Sequence, residues 1–243
     1  MSVFLLQASS NACGVTAHLA RHIEDALTRE TIRVDLCTLS SQTIHPCTNC
    51  GFCRTHRACV FDREDDKASA ILDAMRACQL LILVAPIYFY ALPAQCKALV
   101  DRSQRYWHAQ RTSKTRKPSL VLLHAGRKKG DKLFDGAILT LRYFLDLLSR
   151  TILATCVRRG LETREDLLAD ADYLHGIDEM MRHLAISLKN TGTADEKNAD
   201  YAAFFAEQKK WQLTQDTYAV CRNLSQMSSK GVSRWQEKDK LSP

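Results

Sequence analysis

Leu80-Leu81-Ile82-Leu83-Val84-Ala85 is an unbroken apolar run closed by Pro86. A strand with one wet face alternates apolar and polar residues. This run does not alternate, so it reads as a central strand covered on both sides, the habit of parallel sheets flanked by helices. Outward from it, the same logic finds strands at residues 3–8, 32–36, 120–124 and 151–157. Helical spacing falls between them. Leu19, Ile23, Ala26 and Leu27 mark a helix over Val15–Arg29, and Ile71, Leu72 and Met75 mark one over residues 65–77. Residues 93–107 and 134–148 complete the set, with Pro93 in the first turn of its helix. Alternating strands and helices predict an α/β fold: a doubly wound parallel sheet of five strands in the order 2-1-3-4-5.

The chain has 243 residues, 46% hydrophobic and 25% charged, an ordinary composition for a globular protein with a sizeable core. Residues 1–160 are expected to form the sheet domain, with a cysteine-rich loop at 40–64. Residues 161–224 read as a helical extension with apolar positions at Met180, Met181, Leu184, Ile186, Leu188, Tyr201, Phe204, Phe205, Trp211 and Leu213. Residues 225–243 read as a flexible tail. No run approaches the roughly 18 apolar residues of a membrane span. The start reads as a strand rather than a signal peptide, which predicts a cytoplasmic protein whose ten cysteines are thiols or ligands. The net charge is +7, concentrated between Arg102 and Lys132. That run is either a solvated face or a positive rim for a nucleotide phosphate or an acidic partner. No nucleic-acid module accompanies it.

Open α/β sheets bind ligands beyond the carboxyl ends of their strands, at the switch in strand order. Three loops should meet there. The first is Ala8-Ser9-Ser10-Asn11-Ala12-Cys13-Gly14-Val15-Thr16. Its hydroxyls and the free amides of the helix start can hold a phosphate, and a plain helix cap by Ser or Asn reads equally well. The loop is not G-x-G-x-x-G, which disfavours a dinucleotide as the fixed cofactor. The second, residues 85–93, carries three aromatic rings and two prolines, a rigid wall suited to a flat, partly apolar ring system. The third, residues 124–130, has two glycines that allow close backbone approach to a planar ligand.

Four of the cysteines, Cys47, Cys50, Cys53 and Cys59, fall within thirteen residues. The first three have the C-x2-C-x2-C spacing of bacterial ferredoxins, and the fourth lacks their following proline, Val60 standing there. Three readings stay open: a [4Fe–4S] cluster, a tetrahedral zinc with His45 or His56 as substitute ligands, and a loop of free thiols. Of the remaining six cysteines, Cys37, Cys78, Cys96, Cys156 and Cys221 read as small core residues, while Cys13 lies in the first loop.

Together these segments resemble the flavodoxin-like NAD(P)H-dependent FMN oxidoreductases, and among them the iron–sulfur flavoprotein group. Residues 8–16 are similar to that family's Gly-Ser-Pro-x-x-x-Gly-Asn-Thr phosphate loop: Ser9, Gly14 and Thr16 match, while Ala8, Ser10 and Val15 depart. Pro86-Ile87-Tyr88-Phe89, with Lys97 and Asp101-Arg102, resembles its Pro-Val-Tyr-Phe…Leu-Lys…Asp-Arg stretch. The four cysteines and the acidic pair Asp65-Asp66 fall between, as they do there. The resemblance covers about residues 1–157. It implies FMN, with the phosphate at Ser9, Asn11, Gly14, Val15 and Thr16. It places the isoalloxazine against Pro86, Ile87, Tyr88 and Phe89 and the backbone of Ala125 and Gly126.

The expected function is an FMN-dependent oxidoreductase. It would move electrons between NAD(P)H or a carrier protein and an acceptor; if the loop holds a [4Fe–4S] cluster, on Cys47, Cys50, Cys53 and Cys59, that cluster would pass single electrons to or from the flavin. The alternatives are a flavodoxin-type carrier without a substrate, against which the basic charge argues, and a redox-sensing binding protein. No side chain is assigned as base or nucleophile; Tyr88 and His124 are placed near substrate or in a structural role. The helical extension and family habit imply a homo-oligomer, a dimer or tetramer.

Overall fold

A computed structural model of the chain describes residues 2–63, 65–107 and 116–190. Five strands, β1 (Ser2–Gln7), β2 (Arg33–Thr38), β3 (Leu80–Pro86), β4 (Lys117–Ala125) and β5 (Arg150–Arg159), form one parallel sheet in the order β2-β1-β3-β4-β5. The sequence expectation of a flavodoxin-like doubly wound sheet is met. β3 is buried along its whole length because helices cover both faces.

Side-chain alternation along the strands splits the interior into two cores. Val3, Leu5, Leu80, Ile82, Val84, Leu120 and Leu122 face helix α1 (Val15–Arg29). Phe4, Leu6, Leu81, Leu83, Val121 and Leu123 face the other side. There they pack under α3 (Ala68–Ala77), α4 (Ala94–Arg102) and α6 (Asp135–Leu147). Between these lie two short helices, α2 (Phe52–His56) in the cysteine loop and α5 (Gln104–Trp107).

Beyond β5 the chain stays with the domain. α7 (Arg164–Ala169) starts in a capping box, Thr163 Oγ1 accepting from the Asp166 amide while Asp166 Oδ2 accepts from the Thr163 amide. α8 (Ala171–Lys189) then lays Tyr173, Ile177, Met180, Met181, Leu184 and Leu188 on the α1 side of the sheet. Arg29 Nη2 holds Asp178 Oδ1 at 2.9 Å across the α1–α8 seam. Ile186, expected among the apolar core positions, is half exposed. Tyr201, Phe204, Phe205, Trp211, Leu213, Cys221 and the tail at 225–243 lie outside the described residues.

Arg150 opens β5 and is buried to 1% exposure, with no carboxylate among its hydrogen-bond partners in the described residues. Its Nε donates to Ser119 Oγ at 2.8 Å, and Nη1 to the carbonyls of Met75 at 2.7 Å and Cys78 at 3.1 Å. Nη2 donates to the carbonyl of Pro118 and, at 3.4 Å, to that of Gln79. The guanidinium therefore sits on the carbonyl end of α3, where the helix dipole favours a cation. Among the described residues no helix is long and apolar enough to cross a membrane.

Candidate functional site

A cleft of about 500 Å³ opens beyond the carboxyl ends of β1, β3, β4 and β5. Its lining includes Ser9, Asn11, Gly14, Val15 and Thr16 from the first loop, and Pro86, Ile87 and Tyr88 from the second. Ala125 and Gly126 come from the third, with His124, Arg127, Leu161 and Glu162 beside them. Ten of the eleven residues singled out from the sequence thus meet at one place.

The first loop holds its own shape. Ser9 Oγ, buried, accepts from the Asn11 amide at 3.1 Å, and Asn11 Oδ1 accepts from the Cys13 amide at 2.9 Å. α1 begins at Gly14 with no side chain capping it and no acidic residue in its first turn. The capping reading by Ser or Asn is therefore not what the loop does; the helix presents uncapped amides and a positive dipole end to the cleft. Thr16 Oγ1 lies 2.8 Å from His124 Nε2, and both residues are buried. Burial pushes the His124 ring down to about 4, against a smaller upward push from the Leu161 backbone, so the ring is neutral at pH 7.

The eleventh residue, Phe89, does not line the cleft. Tyr88 and Ala91 exchange backbone hydrogen bonds at 3.0 and 2.9 Å, making a two-residue turn with Phe89 at φ 49° and Tyr90 at φ 64°. That is the geometry for which Asn-Gly is preferred. The Phe89 ring points fully into solvent, while Tyr88 remains half exposed at the cleft edge. Gly136 lets the turn pack on α6, since a Cβ there would lie 2.7 Å from the Tyr90 carbonyl oxygen.

A second cavity, about 60 Å³, lies within the cysteine loop and is lined by Cys47, Cys50, Cys53 and Cys59 together with Arg54, Arg102 and Arg105. Among the described residues no three His, Cys, Asp or Glu side chains stand close enough to hold one metal ion. The four thiols ring a space instead. Burial raises the Cys53 thiol, helped by the nearby thiols of Cys47, Cys59 and Cys50 and opposed by a backbone hydrogen bond. His45 and His56 are outside the lining; His45 Nδ1 is 3.0 Å from Asp66 Oδ2, and His56 Nδ1 is 2.7 Å from Thr55 Oγ1.

The loop is anchored from below by Arg102. The charge run starting there reads from sequence as a solvated face or a rim, yet Arg102 is 3% exposed. Nη1 donates to Asp66 Oδ2 at 2.8 Å and to the His45 carbonyl at 3.0 Å, and the guanidinium lies 5.0 Å from the Phe61 ring centroid. Burial raises the Asp66 carboxyl, but hydrogen bonds from Arg102 and from the amides of His45 and Ala68 outweigh it and hold it ionised below its usual range. Arg105 reaches Asp62 and Asp73 on the same side. Cys78, Cys96 and Cys156 are buried, Cys37 is partly so, and Cys13 is exposed.

Sequence reasoning missed Leu161 and Glu162. They follow β5, whose carboxyl end borders the same cleft, so the strand order itself was the available signal. Arg127 and His124 lay in the third loop, but neither was assigned to the cofactor.

The family model described as NADPH-dependent FMN reductase matches residues 1–155 of the chain. An iron–sulfur flavoprotein of Methanosarcina thermophila is 42% identical over 69 residues, 28% of this chain and 35% of the relative. Another, of Methanocaldococcus jannaschii, is 31% identical over 105 residues, 43% of this chain and 52% of the relative. The matches thus span between about a third and a half of these relatives' length. Among solved structures, the apo form of an NADH:FMN oxidoreductase superposes with a TM-score of 0.55 at 16% identity, covering 79% of this chain and 92% of its own. RosB, with a bound flavin-phosphate intermediate, gives 0.57 at 14% identity over 100% of this chain and 99% of its own. At such identities the likeness is one of fold.

Proposed function

We propose, on the premise that this chain belongs to the NADPH-dependent FMN reductase family, that it is an FMN-dependent NAD(P)H oxidoreductase carrying a cysteine-bound iron–sulfur centre. The observation that carries the flavin reading is the uncapped start of α1 opening into a 500 Å³ cleft with an apolar wall. The amides of Val15 and Thr16 and the hydroxyl of Thr16 suit a phosphate. Pro86, Ile87 and Tyr88 on one side and the backbone of Ala125 and Gly126 on the other suit a flat ring. FMN there supplies the conversion between hydride and single-electron transfer. The chain's own residues bind and orient. Ser9 and Asn11 shape the loop, His124 fixes the Thr16 hydroxyl, and the proline-aromatic wall limits water at the ring. Phe89, turned to solvent, is proposed to meet the ring only if its turn moves.

For the second centre, Cys47, Cys50, Cys53 and Cys59 would be the ligands. Thiols ringing a cavity rather than meeting at one point suit a multi-iron cluster better than a single zinc. Residues 1–160 form the proposed cofactor domain, with NAD(P)H or a carrier protein as donor and a homo-oligomer as the assembly. Leu139 and Tyr143, both exposed on α6, offer apolar surface for such an assembly.

The test is an absorption spectrum of anaerobically purified protein, with FMN and iron assayed on the same sample. Flavin bands with about four irons per chain support both centres. Flavin without iron leaves the reductase and removes the cluster. Addition of NADPH or NADH to the flavin-loaded protein decides the rest: a flavin that neither nucleotide bleaches makes the protein a carrier.

A further inference from the structure

The charged side chains that line the cavity ringed by the cysteines are all basic. Arg54, Arg102 and Arg105 line it, and among the described residues no aspartate or glutamate does. The acidic partners of two of these arginines stand behind them, with Asp66 and Asp62 beside Arg102 and Asp62 and Asp73 beside Arg105.

Arg102 is placed unusually. Its side chain is 1% exposed, and one arm of the guanidinium, Nη1, is fully used by Asp66 Oδ2 and the His45 carbonyl. The other arm, Nη2, is buried with no hydrogen-bond partner among the described residues; an Asp62 carboxylate oxygen lies 3.8 Å away. Cys59 already faces the same guanidinium: its sulfur, when ionised, attracts the charge and accepts a hydrogen bond, and both effects raise Arg102. A buried N–H without an acceptor costs of the order of 1–3 kcal/mol. An acceptor inside the cavity that Arg102 lines would relieve that cost.

We propose that Arg102 Nη2 is the built-in hydrogen-bond donor to the sulfur of the cluster held by Cys47, Cys50, Cys53 and Cys59, and that it sets the reduction potential of that cluster. The inference rests on the cluster reading given above. Four thiolates bring four negative charges into a small space, and each electron added to the centre adds another. Hydrogen bonds to sulfur and nearby positive charge stabilise the reduced state and raise the potential. Arg102 supplies both, fixed in place by Asp66 rather than held by a flexible surface arm. Arg105, partly exposed and shared between Asp62 and Asp73, contributes charge at longer range.

The experiment uses the full chain, reconstituted anaerobically with ferrous iron and sulfide, and reads the midpoint potential by a redox titration followed by electron paramagnetic resonance. Arg102→Gln is expected to take up iron and to titrate at a more negative potential than the wild type. Arg102→Lys, which keeps the charge and loses the fork, is expected to fall between them. Arg105→Gln is expected to shift in the same sense by less. Removing Arg102 alone strands the buried Asp66 carboxylate, so the paired variant Asp66→Asn/Arg102→Gln is measured beside it, with FMN content as the control for folding. An iron-loaded Arg102→Gln or paired variant with the wild-type midpoint overturns the inference and leaves the cluster reading intact. Wild-type protein that takes up no iron under these conditions overturns the cluster reading itself.

Discussion

The hydroxyl of Thr16, in the first turn of α1, and Nε2 of His124, at the end of β4, stand 2.8 Å apart although 108 positions separate them in the chain. The contact ties the start of α1 to the end of β4 across the cleft, and burial pushes the histidine ring down to about 4, so it is neutral at pH 7. In the unfolded chain the ring titrates near 6.5. Between those values the unfolded state binds the extra proton, so stability is complete above about pH 6.5 and is lost as pH falls toward 4. Urea unfolding should show the protein weaker by about 2 kcal/mol at pH 5 than at pH 7.5 from this group. His124→Gln should flatten that part of the profile. A variant as acid-sensitive as the wild type would exclude His124 as the cause.

Thr16→Ala removes a hydroxyl facing the cleft, and Ser9→Ala removes the acceptor that holds the Asn11 amide. Hydrogen bonds to a charged group are worth about 1.5–3 kcal/mol and neutral ones about 0.5–1.5, so Thr16→Ala should weaken FMN binding at least about tenfold and Ser9→Ala, which acts through the loop's shape, by less. Quenching of flavin fluorescence on titration measures it. A double variant with wild-type affinity moves the phosphate elsewhere.

Gly126 has no room for a side chain. A Cβ there would meet Glu162 Cβ at 2.9 Å and Cα at 3.2 Å. Gly126→Ala should therefore cost about 1–3 kcal/mol, the usual range for overpacking, and widen the cleft between the ends of β4 and β5. Adding Glu162→Gly should return part of the loss. Thermal unfolding of the two variants side by side tests this, and equal melting temperatures would refute the contact as its origin.

The Phe89-Tyr90 turn places two aromatic residues in left-handed conformations, each disfavoured by roughly 1–2 kcal/mol. Phe89→Asn with Tyr90→Gly should raise the melting temperature, because Asn-Gly accepts this turn readily. A lower melting temperature would mean that the Tyr90 ring, 6.0 Å from the Arg127 guanidinium, contributes more than the strain removes.

Much of this architecture was readable because it depends on local pattern. The apolar run in β3 and the helical spacing of α1 announce themselves, and the observed Val15–Arg29 coincides with its expected bounds. The helix expected over residues 93–107 is instead broken at Ser103, whose hydroxyl donates to the Val100 carbonyl at 2.6 Å and competes with the backbone. The loops of the cleft were legible because strand ends in this topology must converge. The burial of Arg102 was not, since it depends on Asp66 arriving from 36 residues away. Nor was Phe89's outward turn, which two backbone hydrogen bonds decide and residue type opposes.

Arg150 has a further consequence, for the order in which the chain can assemble. The carbonyls it satisfies on α3 leave the ribosome some 75 residues before it does. Until β5 is synthesised, the end of α3 has only Lys117 Nζ on the Arg76 and Ala77 carbonyls and the Cys78 thiol on that of Met75, and Ser119 on β4 lacks the group that fills it. Contacts of such long sequence separation are slow to form because loop closure precedes any reward. A nascent chain stopped short of residue 150 therefore holds four strands, an open sheet edge on β4 and an unfinished helix end. The cleft borrows Leu161 and Glu162 from beyond β5, so its lining is complete only once the chain past Arg150 has been made.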